Sequence, residues 1–287
     1  LERRTGIPVL GVVPWIDDVR LADEDAVALE RPTPGASLDS TAAVDVAVIR
    51  FPRIANFDDF DPLRDEPDVS LRYVDSLSAL GKPTLIVLPG TRATIADLDW
   101  LRSSGLADAI QAHAAEGGHV LGICGGLQML GTRLLDPDGV EAVAGTTVPG
   151  LGLLALETRF VAEKTTRRVE GTVVATGGAW ALATGIAVSG YEIHMGEGVT
   201  EADPFIELAG LRDGAISSDG LIAGTYLHGL LHNDALRTKL LESLGRPAAA
   251  GAQSASALRD REFDRLAAVV RAHLDFEQLE AMRWPAS

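Results

Sequence analysis

Cys124, the only cysteine in the chain, stands between an apolar run and a pair of glycines in the stretch GGHVLGICGGLQMLG (117–131). His119-Val120-Leu121-Gly122-Ile123 reads as a short buried strand. Gly125 and Gly126 follow the cysteine at once, and Leu127-Gln128-Met129-Leu130 favour helix. Strand, sharp turn and helix around one nucleophile make a nucleophile elbow, in which a strained turn lifts a side chain clear of a sheet. Glycine removes the Cβ where such a backbone bends tightly. The helix that begins after Cys124 aims its free N–H groups at the sulfur, which favours thiolate. The competing reading is an inert thiol in a core strand, which free cysteine often is. Gly122, Gly125 and Gly126 weigh against it, because glycine weakens a strand and packs nothing.

The segments upstream repeat the strand–helix alternation. Val44-Asp45-Val46-Ala47-Val48-Ile49 is a buried-strand signal closed by Phe51-Pro52. The stretch FPRIANFDDFDPLRDEPDVSLRYV then reads as a functional loop, a short helix and a strand at Val69–Val74. Lys82–Gly90 is a strand ending in a Pro-Gly turn. Residues 94–116 have helical periodicity, split in two at Ser103-Ser104-Gly105. Continuous apolar strands alternating with helices predict an α/β fold: an open, mostly parallel sheet with helices on both faces. Sites in such sheets lie at the carboxyl ends of strands, so Pro89-Gly90-Thr91 and Cys124 belong on one edge.

Residues 151–199 change character. Gly152–Leu156, Arg168–Val174 and SGYEIHMG (189–196) predict a smaller, antiparallel β section. Leu221–Leu227 reads as a last strand running into His228, and a helix follows over 233–244. Further pieces flank this body. IPVLGVVP (7–14) is a strand signal, and an acidic surface stretch (17–34) ends in the linker Arg31-Pro32-Thr33-Pro34-Gly35. Gly245–Ala257 is a flexible connection. Residues 258–282 predict one amphipathic helix with Phe263, Leu266, Val270, Leu274 and Leu279 on one side. The expected domains are therefore 1–42, 43–245 and 246–287.

Composition bounds the function class. With 25 basic and 41 acidic residues among 287, the net charge of -16 argues against non-specific binding to nucleic acid or an anionic membrane. No run of 18 apolar residues predicts a membrane span. One cysteine cannot form an internal disulfide, which fits a cytoplasmic protein. No metal-ligand cluster stands out, and the expectation for this chain is neither metal nor cofactor.

Cys124 and His228 each end a buried strand, and a nucleophilic cysteine needs such a base, adjacent in space and not in sequence. An acyl-thioenzyme also needs oxyanion donors. The backbone N–H of Gly125 is one candidate and the turn Gly90-Thr91 another. These residues describe a cysteine acyl-transfer site: an amidohydrolase, a protease or a glutaminase.

The elbow GICGGLQMLG resembles that of class I glutamine amidotransferases. The segments RFPRIANFDDFDPL (50–63), LPGTRATIADLDWLRSSGL (88–106), EKTTRRVEG (163–171), SGYEIHMG and GTYLHGLLHND (224–234) are similar to the glutamine amidotransferase half of cobyric acid synthases, over roughly residues 1–245. The resemblance implies that Cys124 attacks the glutamine side-chain amide, that His228 shuttles the proton and that Gln128 helps hold glutamine. It also implies ATP-dependent amidation of adenosylcobyrinic acid a,c-diamide in cobalamin biosynthesis, with ATP and Mg bound by a synthetase domain. These residues contain no G-x-x-x-x-G-K-[ST] phosphate loop, and residues 1–30 look like the tail of that domain, so a fragment or a partnered subunit is expected. Most class I enzymes carry a glutamate two residues after the histidine, where this chain has Leu230. Glu192 is a candidate substitute, with a substrate or interface role equally open, and His194 is either a core histidine or an acceptor contact. Three rivals remain: the glutaminase subunit that amidates lipid II, a non-catalytic binding module and a cysteine peptidase.

Overall fold

A computed structural model describes residues 1–16, 42–246 and 254–282, which fall into two compact units: 42–246, and 1–16 with 254–282. The acidic stretch and proline linker, and most of the Gly245–Ala257 connection, lie outside the described residues. In chain order the elements begin with α1 (Glu2–Thr5), a single turn. They continue with β1 (Val44–Ile49), a 3-10 turn (Phe57–Phe60), α2 (Asp61–Arg64), β2 (Val69–Val74), α3 (Leu77–Leu80) and β3 (Leu85–Leu88). Two helices, α4 (Thr94–Ser103) and α5 (Leu106–Ala115), precede β4 (His119–Ile123) and α6 (Gly125–Leu130).

These strands build the main sheet. Its order β2-β1-β3-β4 is parallel throughout and continues into β14 (Ile222–Thr225), also parallel. The antiparallel edge strand β13 (Ala215–Ile216) completes six. Successive residues of a strand face opposite sides, and both sides are buried. Val46, Val48, Val87 and Leu121 pack with Phe60, Leu63, Trp180 and Leu240 on one face. Ala47, Ile49, Ile86 and Val120 pack with Leu98, Leu101, Ile110 and Leu127 on the other. This two-sided burial is why the strands read as unbroken apolar runs.

Beyond β4 the chain also builds two smaller sheets. β5 (Arg133–Asp136), β6 (Thr146–Pro149), β7 (Leu156–Arg159) and β10 (Glu197–Thr200) form one, antiparallel except for β5 on β7. β8 (Thr165–Val173), β9 (Ala187–His194), β11 (Ile206–Leu208), β12 (Leu211–Asp213) and β15 (Leu227–His228) form the other, fully antiparallel. The apolar run Leu221–Leu227 is thus two strands in two sheets. The break falls at Tyr226, whose N–H donates to Oδ1 of buried Asp213 (3.1 Å) while the Thr225 hydroxyl donates to Oδ2. α7 (Asp234–Ser243) closes this unit.

In the other unit, IPVLGVVP forms no strand. Its ladder contact is a single bridge, Gly11 to Leu274, with the Asp275 N–H donating to the Leu10 carbonyl (2.7 Å). The expected helix over 258–282 is two, α8 (Ala255–His273) and α9 (Phe276–Ala281). Asp275 interrupts it by capping the second, its carboxylate accepting from the Gln278 N–H at 2.9 Å.

In the main sheet α6 packs closely on β3. A Cβ on Gly126 would lie 1.9 Å from the Leu88 carbonyl oxygen, a backbone atom that cannot swing aside. Gly126→Ala is therefore expected to destabilise the fold by roughly 1–3 kcal/mol, measured as a lowered denaturant midpoint at unchanged slope.

Candidate active site

Cys124 caps α6 in a conformation rare for a residue with a side chain, φ 52° and ψ −109°. The strain is held from both directions. The Cys124 N–H donates to Thr225 O of β14 (2.8 Å), and its carbonyl accepts from Gln128 N (3.1 Å). The side chain is almost fully buried, with Sγ 3.6 Å from the Ile193 carbonyl.

The expected oxyanion turn lies against the elbow. A methyl on Gly125 would lie 2.7 Å from Cγ2 and 3.3 Å from the backbone nitrogen of Thr91. The Gly125 amide is at the start of α6, where helix geometry provides no intrahelical acceptor. The Gly90-Thr91 turn is stapled from below. Ala55 N donates to Gly90 O (2.9 Å), and the Thr91 hydroxyl donates to buried Asp97, which also accepts from Arg53 Nη1 (3.1 Å).

His228 arrives from the antiparallel sheet and meets the cysteine at Gly90. A Cβ there would be 3.1 Å from His228 Cε1 and 3.9 Å from Cys124 Cβ. The imidazole is wholly buried. Its Nδ1 donates to Asp59 Oδ2 (2.7 Å), and Asp59 Oδ1 accepts from the Gly229 N–H (2.7 Å). Nε2 is buried and has no hydrogen-bond partner in the fold, so it is free for the thiol and for substrate. Burial opposes a charge on this ring. The hydrogen bond to Asp59 and the nearby thiol outweigh it and push the His228 pKa up to about 10.

Asp59 is thus the carboxylate that orients the imidazole, and Glu192 is not. Glu192 is buried in an ion pair with Arg167 Nε on the neighbouring strand. Asp59 belongs to the 3-10 turn, which is anchored by buried Phe57 and Phe60 and by His232 Nε2 donating to the Asp58 carbonyl (3.0 Å). The sequence signal was the FDDF repeat inside the segment read as a functional loop. Which of its two acids faces inward depends on the turn geometry.

Gln128 is buried one turn into α6. Its Oε1 accepts from the Thr94 hydroxyl at 3.0 Å, which turns its amide nitrogen toward Tyr226 and Gly196. His194 stacks on Tyr226 (4.1 Å between centroids), and its Nδ1 donates to Gly196 O (3.0 Å). Burial holds its pKa below the ordinary histidine value. A cavity of about 230 Å³ opens on Cys124, lined among others by Gly90, Thr91, Gln128 and His194. Three charged residues that sequence reasoning missed also line it: Arg92, Glu141 and Lys164. His194 also lines a larger cavity of about 880 Å³, which includes Glu192 and Arg167. Among the described residues no group of three or more His, Cys, Asp and Glu side chains is arranged to hold a metal.

A thiol, an imidazole with one free nitrogen, a carboxylate behind it and two backbone amides beside the sulfur can carry out acyl transfer from an amide or ester. The histidine has a measurable signature. Its imidazole resonances are expected to titrate near pH 10, and in Asp59→Asn the midpoint should fall toward 6.5, followed by NMR. Because the folded value is raised, the Asp59–His228 pair stabilises fully below about pH 6.5 and progressively less as pH rises through about 10. The stability deficit of Asp59→Asn is then expected to be roughly 1–3 kcal/mol at pH 6 and smaller at pH 10.5, read from denaturant melts.

Comparison with known proteins fits this geometry. Residues 45–236 match the CobB/CobQ-like glutamine amidotransferase domain. The chain is 45% identical to a cobyric acid synthase of Sorangium cellulosum, over 96% of its own length and 57% of that protein's. It is 42% identical to one of Dehalococcoides mccartyi, over 98% of its length and 57% of the relative's. It thus spans little more than half the length of these curated relatives. Among solved structures, PurLQS from Thermotoga maritima superposes with a TM-score of 0.51 at 17% identity, covering 70% of this chain and 97% of that one, a likeness of fold alone. The family match takes in the main sheet, the elbow and the Cys124–His228–Asp59 constellation, and the chain belongs to the CobB/CobQ-like glutamine amidotransferase family.

Proposed function

We propose that this chain hydrolyses glutamine at Cys124 and supplies the ammonia for ATP-dependent amidation by a cobyric acid synthase. The observation that carries the hydrolytic reading is the buried His228, fixed by Asp59 through Nδ1 with Nε2 unpartnered beside Cys124. In the proposed reaction Sγ attacks the side-chain amide carbon, and the oxygen takes up charge facing the amides of Gly125 and Thr91. His228 Nε2 hands a proton to the departing nitrogen, and ammonia leaves a thioester. His228 then takes a proton from water, which attacks the thioester, and glutamate and free thiol result. Asp59 keeps the ring in one tautomer and stabilises its charged form.

The charged lining of the cavity supports an amino acid as the substrate. Glu141 offers a carboxylate for an α-ammonium, and Arg92 and Lys164 offer cations for an α-carboxylate. Glu141 stands at the start of α4, where its Oε2 accepts from Ile95 N (3.4 Å), and burial pushes its carboxyl above the ordinary value. One buried carboxylate ties down its loop. Buried Asp136 accepts from the amides of Gly139, Val140, Glu141 and Ala142 at 2.7–3.0 Å. Burial opposes the charge on Asp136, and the four amides outweigh it and hold the carboxyl below its ordinary value.

The acceptor half of the reading rests on the curated relatives, which are named cobyric acid synthase. The proposed acceptor is adenosylcobyrinic acid a,c-diamide, an intermediate of cobalamin biosynthesis, and the proposed compartment is the cytoplasm. These residues carry no phosphate-loop motif; the proposed site for ATP and Mg is the synthetase part of the whole enzyme, and no step here runs through them. Among the described residues no helix is long and apolar enough to cross a membrane.

Two measurements test the hydrolytic reading. A diazo-ketone analogue of glutamine is expected to add once to the chain by mass and not at all to Cys124→Ser; an adduct that survives the substitution would place the chemistry elsewhere. Glu141→Gln is expected to raise KM for glutamine roughly tenfold or more with a smaller change in kcat, measured by glutamate release.

A further inference from the structure

Asp59 holds the His228 imidazole at one atom only, and a ring anchored at Nδ1 can still tilt about that bond. Tyr191 covers its face. The two residues are direct cross-strand partners of β15 and β9, and their rings stack with centroids 5.1 Å apart and planes 17° from parallel. The close approach of the strands depends on Gly190, where a Cβ would lie 2.0 Å from the His228 carbonyl oxygen.

The phenol is itself clamped. Its oxygen accepts a hydrogen bond from Asn56 Nδ2 at 2.6 Å. Asn56 sits in left-handed backbone, φ 52° and ψ 40°, and its carbonyl accepts from the Asp59 N–H at 3.1 Å, closing the turn that carries Asp59. One residue thus ties the position of the ring's stacking partner to that of its carboxylate. A left-handed asparagine is an uncommon conformation, and here it turns the amide onto the tyrosine.

Resting on the Cys124–His228 reading, we propose that Tyr191, clamped by Asn56, is a positioning residue that holds the His228 ring toward the thiol and favours its protonated form through the electron-rich phenol face. A cation over an aromatic face is stabilised by the ring quadrupole, most strongly when desolvated, and His228 is fully buried. The other ionisable groups around the imidazole are Asp59 and Asp58 of the 3-10 turn, Cys124 of the elbow and His194 of β9, with His232 acting on Asp58.

The rate of Cys124 alkylation by iodoacetamide, followed by mass from pH 5.5 to 9.5, tests this without requiring glutamine turnover. Tyr191→Leu removes both stack and clamp. Its rate at pH 6 is expected to fall roughly threefold to tenfold, with the rate at pH 9.5 within about twofold of the unsubstituted chain. Tyr191→Phe restores the ring and is expected to recover most of the loss at pH 6. Asn56→Gly keeps the left-handed backbone and deletes the amide. It is expected to show a smaller loss of the same shape, and it carries the test if Tyr191→Leu does not fold. Profiles that superimpose on the unsubstituted chain would overturn the proposal, as would equal losses at every pH or a Phe variant no better than Leu. A failure of the glutaminase reading is separate: iodoacetamide would still label Cys124 while the glutamine analogue did not.

Discussion

The carbonyl of Leu88 and the backbone of Gly126 occupy space that leaves no room for a side chain between them. That contact brings the first turn of α6 down onto β3, and much of the site follows from it. With α6 pressed against the sheet, the chain leaves β4 through a single residue of positive φ, and that residue is Cys124. The same approach sets Gly125 against Thr91, so the two backbone amides suited to an oxyanion come from neighbouring strand ends. A close-packed interior does not yield to small changes, and the thiol is presented on a rigid support.

The remaining groups come from a different layer. Cys124 ends a strand of the parallel sheet, whereas His228 lies in the antiparallel sheet three residues after the parallel one has ended. Asp213 makes the transition by taking the Tyr226 N–H, a backbone donor that would otherwise continue the ladder, together with the Thr225 hydroxyl. The chain then pairs with β9, where Tyr191, Ile193 and His194 reach the same cavity or the imidazole beside it. The antiparallel sheets are therefore walls of the site as much as extensions of the fold.

Position at strand ends made part of this legible in the sequence. Cys124 and Gly90-Thr91 each follow a short apolar strand of the parallel sheet, whose topology gathers such ends at one edge, and His228 follows the apolar run that begins as β14. The single strand read over Leu221–Leu227 hid the change of sheet, because burial on both faces produces the same apolar run in either. Periodicity carries the expected helix over 258–282 through Asp275, because Leu274 and Leu279 keep the period and a cap in the middle of a stripe leaves that period unchanged. Asp59, Tyr191 and Glu141 escaped for another reason. Each acts from a turn, a cross-strand register or a loop held by one buried carboxylate, and none of these is fixed by local spacing.

Leu230 clarifies why the carboxylate comes from so far away. Two residues after His228, where a glutamate is expected in related enzymes, the side chain is wholly buried among the apolar groups of the core, next to Leu231 and near Leu236. A carboxylate at that position would lose its hydration without gaining the two donors that Asp59 has. Asp59 instead enters from the β1–β2 connection and satisfies both oxygens, one on Nδ1 of His228 and one on the Gly229 N–H. The second bond also fixes the backbone immediately after the histidine, which a carboxylate bonded to the ring alone would not do. Charge, tautomer and backbone are then set by one residue. Such a constellation is recognised by where its atoms meet and not by the order of its residues.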